Sequence, residues 1–535
     1  MPDPNENLQG QVFVSSEGSD VPPPPPVSDS QLNNQAQIHV APITPQSMVD
    51  PSNNAAVSQP NVNIPVANTS DLVEPPLTSV STVQAAGPPS TSDKPQKLSG
   101  KFPLKYLLVG LGALLFVSVI SFSVWNFVIN KPKPPEEVNL TYWGIWEDDA
   151  TVKQLINEYQ TQNKGVKITY VKQSKQDYRE RLSNNLAKGG GPDIFNFHNS
   201  WVPMFSSQLS QIPTSVFDAR DYQATFYPAA VKDLRNNAGI VGMPFMTDGL
   251  GLFVNEEIFK TLNKSFPTTW DELRRVASEL TVRDESGRII QAGVALGRTE
   301  NVDHWEDILS LLLLQGGANL SNPTGNLAEA PLKYYTVFNN EDHVWDEALP
   351  SSTQAFASGK LAMYFAPSWR VTDVKTLNPN LSFKIVPVPQ LPKNGPAQPD
   401  VNFSSYWAYG VSNKSKNSEA AWKFIKYLLS KEQLQKLSQG VAKTNLVGFP
   451  YSRVDMATLL ETDQLLGVYV KEAPTAVSSY LSSNTFDGPT GINTRISGYY
   501  AQALNSVIKE NKDPSEVLPQ AAEGIKQVLS GYGVR

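Results

Sequence analysis

Between Tyr106 and Ile129 no residue carries a charge, and no other feature of the chain limits its possible structures so sharply. As a helix the run would reach about 36 Å at ~1.5 Å per residue, enough to cross a hydrocarbon core ~30 Å thick. Phe102, Tyr106, Trp125 and Phe127 lie toward its ends, where aromatic side chains settle at a membrane interface. A cleavable leader fits poorly, because the run is long, starts after residue 100 and has no small-residue cleavage pattern. Lys94, Lys97, Lys101 and Lys105 precede it, whereas Lys131 and Lys133 follow with Glu136 and Glu137 close behind. That modest bias places the N-terminal side in the cytoplasm and the larger C-terminal side outside. The expected division is a tail over 1–103, a transmembrane helix over 104–130, a short stiff linker over 131–137, and a folded domain over 138–535.

The two sides of the run differ in composition. The first hundred residues hold 17 of the 42 prolines, no Trp or Tyr, and one Phe, Phe13. Such a stretch cannot bury enough apolar surface to offset the entropy of ordering, so a disordered tail is expected, with Pro22–Pro26 extended. All ten Trp fall after residue 120. The formal charge is −7 and the pI about 5.4. No basic run or face stands out, which argues against nucleic acid as a partner. There is no Cys, which excludes disulfides, thiolate metal sites and a lipid-modified cysteine. His39, His198, His304 and His343 are too scattered for a zinc site. No metal and no organic cofactor is expected.

Beyond the linker the sequence reads as an α/β protein. Val138–Trp143 suggests a strand, and Val152, Leu155, Ile156 and Tyr159 then recur at helical spacing. Val166, Ile168 and Tyr170 alternate with polar neighbours as in a second strand. A helix over Tyr178–Lys188 and a strand over Asp193–Phe197 complete a β-α-β-α-β order, which predicts parallel strands covered by helices. Thr269 and Glu272 form a capping box; Ala421, Phe424, Ile425 and Leu428 mark another amphipathic helix. Roughly 400 residues exceed one ordinary core, so two lobes are expected.

Several segments between Val138 and Tyr532 resemble, in order and spacing, the extracellular solute-binding proteins of ABC importers, the sugar-binding family that includes maltose-binding protein. They are VNLTYWGIWEDDATVKQLINEYQTQ, LAKGGGPDIFNFHNSWV with its Gly191–Ile194 hallmark, GIVGMPFMTDGLGLFVNEEIF, PTTWDELRRVASEL, LLLLQGGANL, AFASGKLAMYFAPSWR, YWAYGVSNKSKNSEAAWKFIKYLL and ALNSVIKENKDPSEVLPQAAEGI. The resemblance implies a two-lobed periplasmic-binding-protein-like fold with hinge crossings. Lobe one would span about 138–246 and 400–460, and lobe two about 247–399 and 461–535. It further implies a carbohydrate or other small solute held between the lobes, and docking on permease subunits in the membrane. The membrane helix departs from the family's usual signal peptide or lipid anchor, and the resemblance does not explain the tail.

A sugar presents hydroxyls and apolar C–H faces, so its site needs flat aromatic rings beside polar groups. The loop after the first strand offers Trp146 and Glu147, with Asp148 or Asp149 suited to capping the helix that follows. The loop after the third offers Asn199 and Trp201, with His198 as a hydrogen-bonded neighbour. Both loops follow the carboxyl ends of parallel strands, where α/β folds place ligands. By resemblance, Asp248 lies near the first hinge crossing and faces the cleft. Trp369 matches a position that commonly supplies an aromatic platform, and Tyr406 and Trp407 lie just past another crossing. His304, Trp305, Arg495 and Tyr499 are looser candidates. Each also has a structural reading as core, cap or surface packing. Two other classes compete. A glycoside-processing enzyme would show paired carboxylates, yet no pair is singled out, and the nucleophile-elbow, H-E-x-x-H and phosphate-loop patterns are absent. A sensory or adhesive carbohydrate-binding module would carry a signalling signature, and none is seen.

Overall fold

The computed structural model describes residues 104–126, 137–393, 395 and 397–534. The expected tail over 1–103 and nearly all of the linker over 131–137 lie outside them. Of the apolar run, the backbone over Leu104–Val124 is helical, 21 residues long. Its side chains are described from Leu108 onward and are exposed. Among the described residues no helix is long and apolar enough to cross a membrane.

The strands in chain order are β1 (Val138–Gly144), β2 (Val166–Lys172), β3 (Ile194–His198), β4 (Arg235–Asn236), β5 (Gly239–Ile240), β6 (Met243–Pro244) and β7 (Gly251–Asn255). They continue with β8 (Val282–Arg283), β9 (Ile289–Val294), β10 (Leu361–Ala366), β11 (Phe383–Val386), β12 (Asn402–Ser404), β13 (Trp407–Val411) and β14 (Ala476–Ser478). Two five-stranded sheets organise two lobes, in the orders β2-β1-β3-β13-β6 and β11-β7-β10-β9-β8. β1 pairs in parallel with β2 and with β3, the arrangement that alternating strands and helices favour. β13, returning much later in the chain, runs antiparallel to β3 and β6.

Each sheet is covered by helices whose apolar stripes face it. In the first lobe, Val152, Leu155, Ile156 and Tyr159 are buried along the helix Asp149–Gln162. Asp148 caps that helix by accepting the Thr151 N–H at 2.8 Å. In the second lobe, Thr269 and Glu272 exchange hydrogen bonds across the first turn of the helix Trp270–Leu280, which buries Trp270, Leu273, Val276, Ala277 and Leu280. The two cores are separate clusters, one holding Leu140 to Phe245 and Tyr406 to Met456, the other holding Leu250 to Val388, Phe403 and Tyr469 to Leu529.

The chain passes between these cores at Phe245–Leu250, at Phe403–Tyr406, and again between Met456 and Tyr469. The first two lie side by side, because Gly249 bridges Ser404, and Met246 bridges Tyr451 shortly before the third. Gly249 permits this approach: a Cβ there would stand 2.0 Å from the Phe403 carbonyl oxygen. Adjacent backbone connections of this kind are where two lobes rotate about a shared hinge.

Candidate functional site

The first-lobe wall grows from the end of β1. A Cβ at Gly144 would clash with Tyr170 and lie 2.8 Å from Glu147 Oε2, so the glycine leaves room for the Glu147 carboxylate to turn inward. That carboxylate is 1 % exposed. It accepts from Tyr142 Oη at 2.5 Å, Asn196 Nδ2 at 3.0 Å, and the backbone N–H groups of Ile145 and Trp146 at 3.2 and 3.1 Å. Four donors saturate it, so Glu147 shapes the loop and does not offer itself to a ligand, contrary to the expectation from sequence.

Glu147 thereby fixes Trp146. The half-buried Trp146 ring lies 5.2 Å from the Trp407 ring and 5.9 Å from that of Phe486. Trp407, 8 % exposed, also meets His198 at 5.4 Å and Trp201 at 5.3 Å. Trp201 is a correction: it is fully buried, sandwiched with Phe205 and Trp407, and supports the wall from behind. The Nε1 groups of Trp146 and Trp201 are buried without a partner. His198 is a buried neighbour. Its Nδ1 accepts the Ser200 N–H at 3.3 Å, which leaves Nε2 to donate to Ser405 Oγ at 3.0 Å. Burial pulls its pKa down to about 3, so the imidazole stays neutral.

Asn199 and Tyr406 are likewise spent on structure. Asn199 Nδ2 donates to Asp233 at 3.1 Å and its Oδ1 accepts the Tyr406 N–H at 3.2 Å. Tyr406 Oη donates to the same Asp233 oxygen at 3.0 Å, and Ser478 Oγ of the second lobe's ribbon joins it. Burial raises the Asp233 pKa. Asn199 and Tyr406 therefore tie the first lobe to the β12–β14 ribbon at the hinge, a positioning role and not the ligand contact expected of them.

Trp369 is the exposed ring of the second-lobe wall, 38 % accessible at the end of the loop after β10. Arg370 lies over one face, its guanidinium carbon 4.4 Å from the ring centre. Arg370 is held in turn: its Nε–H donates to His304 Nε2 at 2.9 Å, and Nη1 donates to Asp373 at 2.8 Å. The proton of His304 is then on Nδ1, facing Ser483 Oγ at 2.8 Å and Asp307 at 3.4 Å. Asp248 sits on the first crossing and is buried. It accepts the Ser368 N–H at 3.1 Å, Ser368 Oγ at 2.8 Å and the Gly249 N–H at 2.9 Å. Burial pushes its pKa up to about 7 against those hydrogen bonds. Asp248 thus locks the Trp369 loop to the hinge and has little capacity left for a ligand.

The two walls are joined through the hinge. Ser405 N–H donates to the Asp248 carbonyl at 3.1 Å, and Ser405 Oγ meets both His198 Nε2 and Ser482 Oγ, the latter at 2.9 Å. Ser482 and Ser483 lead to His304, Arg370 and Trp369. Phe486 crosses between lobes: its neighbours Leu481 and Ile492 belong to the second core, yet its ring packs on the first, with Lys175 5.1 Å from its centre. Sequence reasoning missed Phe486, Ser368, Ser405, Ser482 and Ser483, since no motif distinguishes them. Of the looser candidates, His304 joins this network, Trp305 is second-lobe core, Arg495 is exposed, and Tyr499 packs against the second core. Among the described residues no cluster could hold a metal ion. Aromatic faces from both lobes with hydroxyls between them suit a flat, polyhydroxylated solute.

The comparisons with known proteins agree with this architecture. A family model described as bacterial extracellular solute-binding protein matches residues 143–435. The multiple sugar-binding protein of Streptococcus mutans is 22% identical over 349 residues, which cover 62% of this chain and 80% of that protein. The cyclic alpha-maltosyl-1,6-maltose binding protein of Arthrobacter globiformis shares the fold with a TM-score of 0.60 at 18% identity, covering 74% of this chain and 99% of that one. An ABC-transporter solute-binding protein of Thermotoga lettingae bound to alpha-D-tagatose gives a TM-score of 0.56 at 21% identity, over 73% and 100% of the two chains. The chain belongs to the bacterial extracellular solute-binding protein family.

Proposed function

We propose that this protein is the membrane-anchored, extracytoplasmic binding component of an ABC importer. It captures a sugar or oligosaccharide between its lobes and delivers it to the permease. The observation that carries the reading is that aromatic rings of both lobes, Trp146 with Trp407 on one and Trp369 on the other, are tied to the same hinge through Asp248, Ser368 and Ser405. A ligand that touches both walls stabilises the closed arrangement over the open one. The sugar-binding relatives support the choice of ligand class. The uncharged run from Tyr106 to Ile129 supports an anchor that keeps the binder near its permease and raises its effective concentration. The proposed domain layout is the tail over 1–103 inside, the helix over 104–130 in the membrane, and the two-lobed unit over 138–535 outside. A thermal-shift screen of the purified full chain against mono- and oligosaccharides, polyols, amino acids and polyamines tests the ligand class, since binding to the folded state raises the melting temperature. A saccharide that raises it, confirmed by calorimetry, is the expected result. A response confined to amino acids or polyamines would replace the sugar reading.

A further inference from the structure

The helix Lys431–Asn445 ends on Leu446 with φ 64° and ψ −31°. The Val447 N–H returns to the Asn445 carbonyl at 2.7 Å, which closes a γ-turn centred on Leu446. This form of the turn is rare and strained, and bulky residues avoid positive φ. Several other positive-φ positions go to residues that tolerate them, such as Asn511 at φ 56° after the helix Ile492–Glu510, Asn263 and Asn484, while Phe486 at φ 50° is a second bulky exception. Among the described residues Leu446 is the one aliphatic side chain with positive φ, and it is 63 % exposed. Burial does not offset the strain.

Its place in the fold gives it a use. Val441 packs on the first core, Val447 on the second, and Phe449 is again in the first, so Leu446 stands at the seam between lobes. The carbonyl of Asn445 is hydrogen-bonded by Thr372 Oγ1, from the helix Arg370–Leu377 that begins just after Trp369. Gly440, earlier on the same helix, is packed so closely that a Cβ there would lie 2.3 Å from Thr151 Oγ1, which donates to Asp148 beside the Trp146 loop. The turn therefore lies between the supports of the two aromatic walls. Strain concentrated at a seam, with no structural return, is the signature of a functional residue.

We infer that Leu446 is a specificity-determining residue of the cleft, presenting an apolar face to a bound saccharide beside Trp369; this rests on the binding function proposed above. The test compares the full chain with Leu446→Gly and Leu446→Asn, residues that accept positive φ without strain. Without ligand, both variants should melt no lower than the parent, and higher by about 1–3 °C where strain relief dominates. Affinity for the saccharide found by the thermal-shift screen should fall about 5–10-fold, or the order of preference among saccharides should change. A drop of several degrees in unliganded melting would show that the leucine holds the lobes together, which overturns the inference. So would unaltered affinity and preference across the panel. If the parent binds a different class of solute, the sugar reading fails while the variants, titrated with that solute, still decide the role of Leu446. The unliganded melting comparison needs no ligand at all.

Discussion

Trp369 and Glu147 separate two ways in which one residue serves a site. Trp369 presents a ring to solvent with Arg370 on one face, so a ligand can use only the other. Trp369→Ala is expected to weaken saccharide binding by about 1–3 kcal/mol, roughly 5- to 150-fold, with little change in unliganded melting. Titration calorimetry and ligand-free melting check both halves. A large melting drop with normal binding by the folded fraction would mark Trp369 as structural. Glu147 predicts the reverse order of effects. Glu147→Ala strands the Tyr142 hydroxyl, the Asn196 amide and two backbone N–H groups. It should cost about 2–4 kcal/mol of stability, read by urea denaturation. Both residues were picked out in the sequence as candidates for the site. Their roles were not, because a Glu beside a Trp reads the same whether its carboxylate faces solvent or turns back onto its own loop. Gly144 and Asn196, far apart in sequence, decide that it turns inward.

At the scale of elements, desolvation raises three carboxyls, one of them at the hinge and two in the second lobe. Asp248 on the first crossing has its pKa raised by burial from 3.8 to about 7, and Glu306, on the second-lobe helix Trp305–Gln315, from 4.5 to about 7. Glu472, which accepts the Val388 N–H at 2.9 Å, is raised to about 8. A carboxyl with a raised folded pKa keeps its proton after the unfolded chain has lost it. Its contribution is fully present below the unfolded value near 4 and is lost as pH climbs through the folded value. Stability should therefore fall from about pH 4 toward pH 8, by up to ~1.4 kcal/mol per pH unit for each such group, in competition with groups that titrate oppositely. Urea midpoints across that range measure the slope. Asp248→Asn keeps the shape of the group without its charge and should flatten the slope, whereas an unaltered slope would clear Asp248 of any part in it. The elements themselves were readable from spacing: the stripe of Val152, Leu155, Ile156 and Tyr159, the capping box at Thr269 and Glu272, and the parallel β1, β2 and β3 all follow from local periodicity. The antiparallel placement of β13 beside β3 was not, since Tyr406, just before β13, lies 207 positions from its partner Asn199, just after β3, and no local rule sets such a pairing.

For the whole molecule, the proposed anchor predicts a simple partition. The full chain should pellet with membranes and need detergent for release, while a chain lacking residues 1–130 should remain in the aqueous fraction. Recovery of the full chain in the aqueous fraction would remove the anchor from the proposal. The sequence by itself determined the α/β class and the family, because alternating strands and helices, their caps and their apolar stripes are written in local spacing and recur in fixed order. It also marked Trp146, Trp369 and Trp407 as exceptional aromatics in loops and strand starts. Only the tertiary structure decided which polar groups remain free. Asn199, Tyr406 and Asp248 are paired by partners distant in sequence, Glu147 by Asn196 together with its own loop, Trp201 is sealed behind Trp407, and Phe486 reaches across from the other lobe. The physical reason is that a buried polar group must be matched by donors or acceptors brought to it by folding. Whether a side chain supports the site or meets the ligand is therefore a property of the packed molecule.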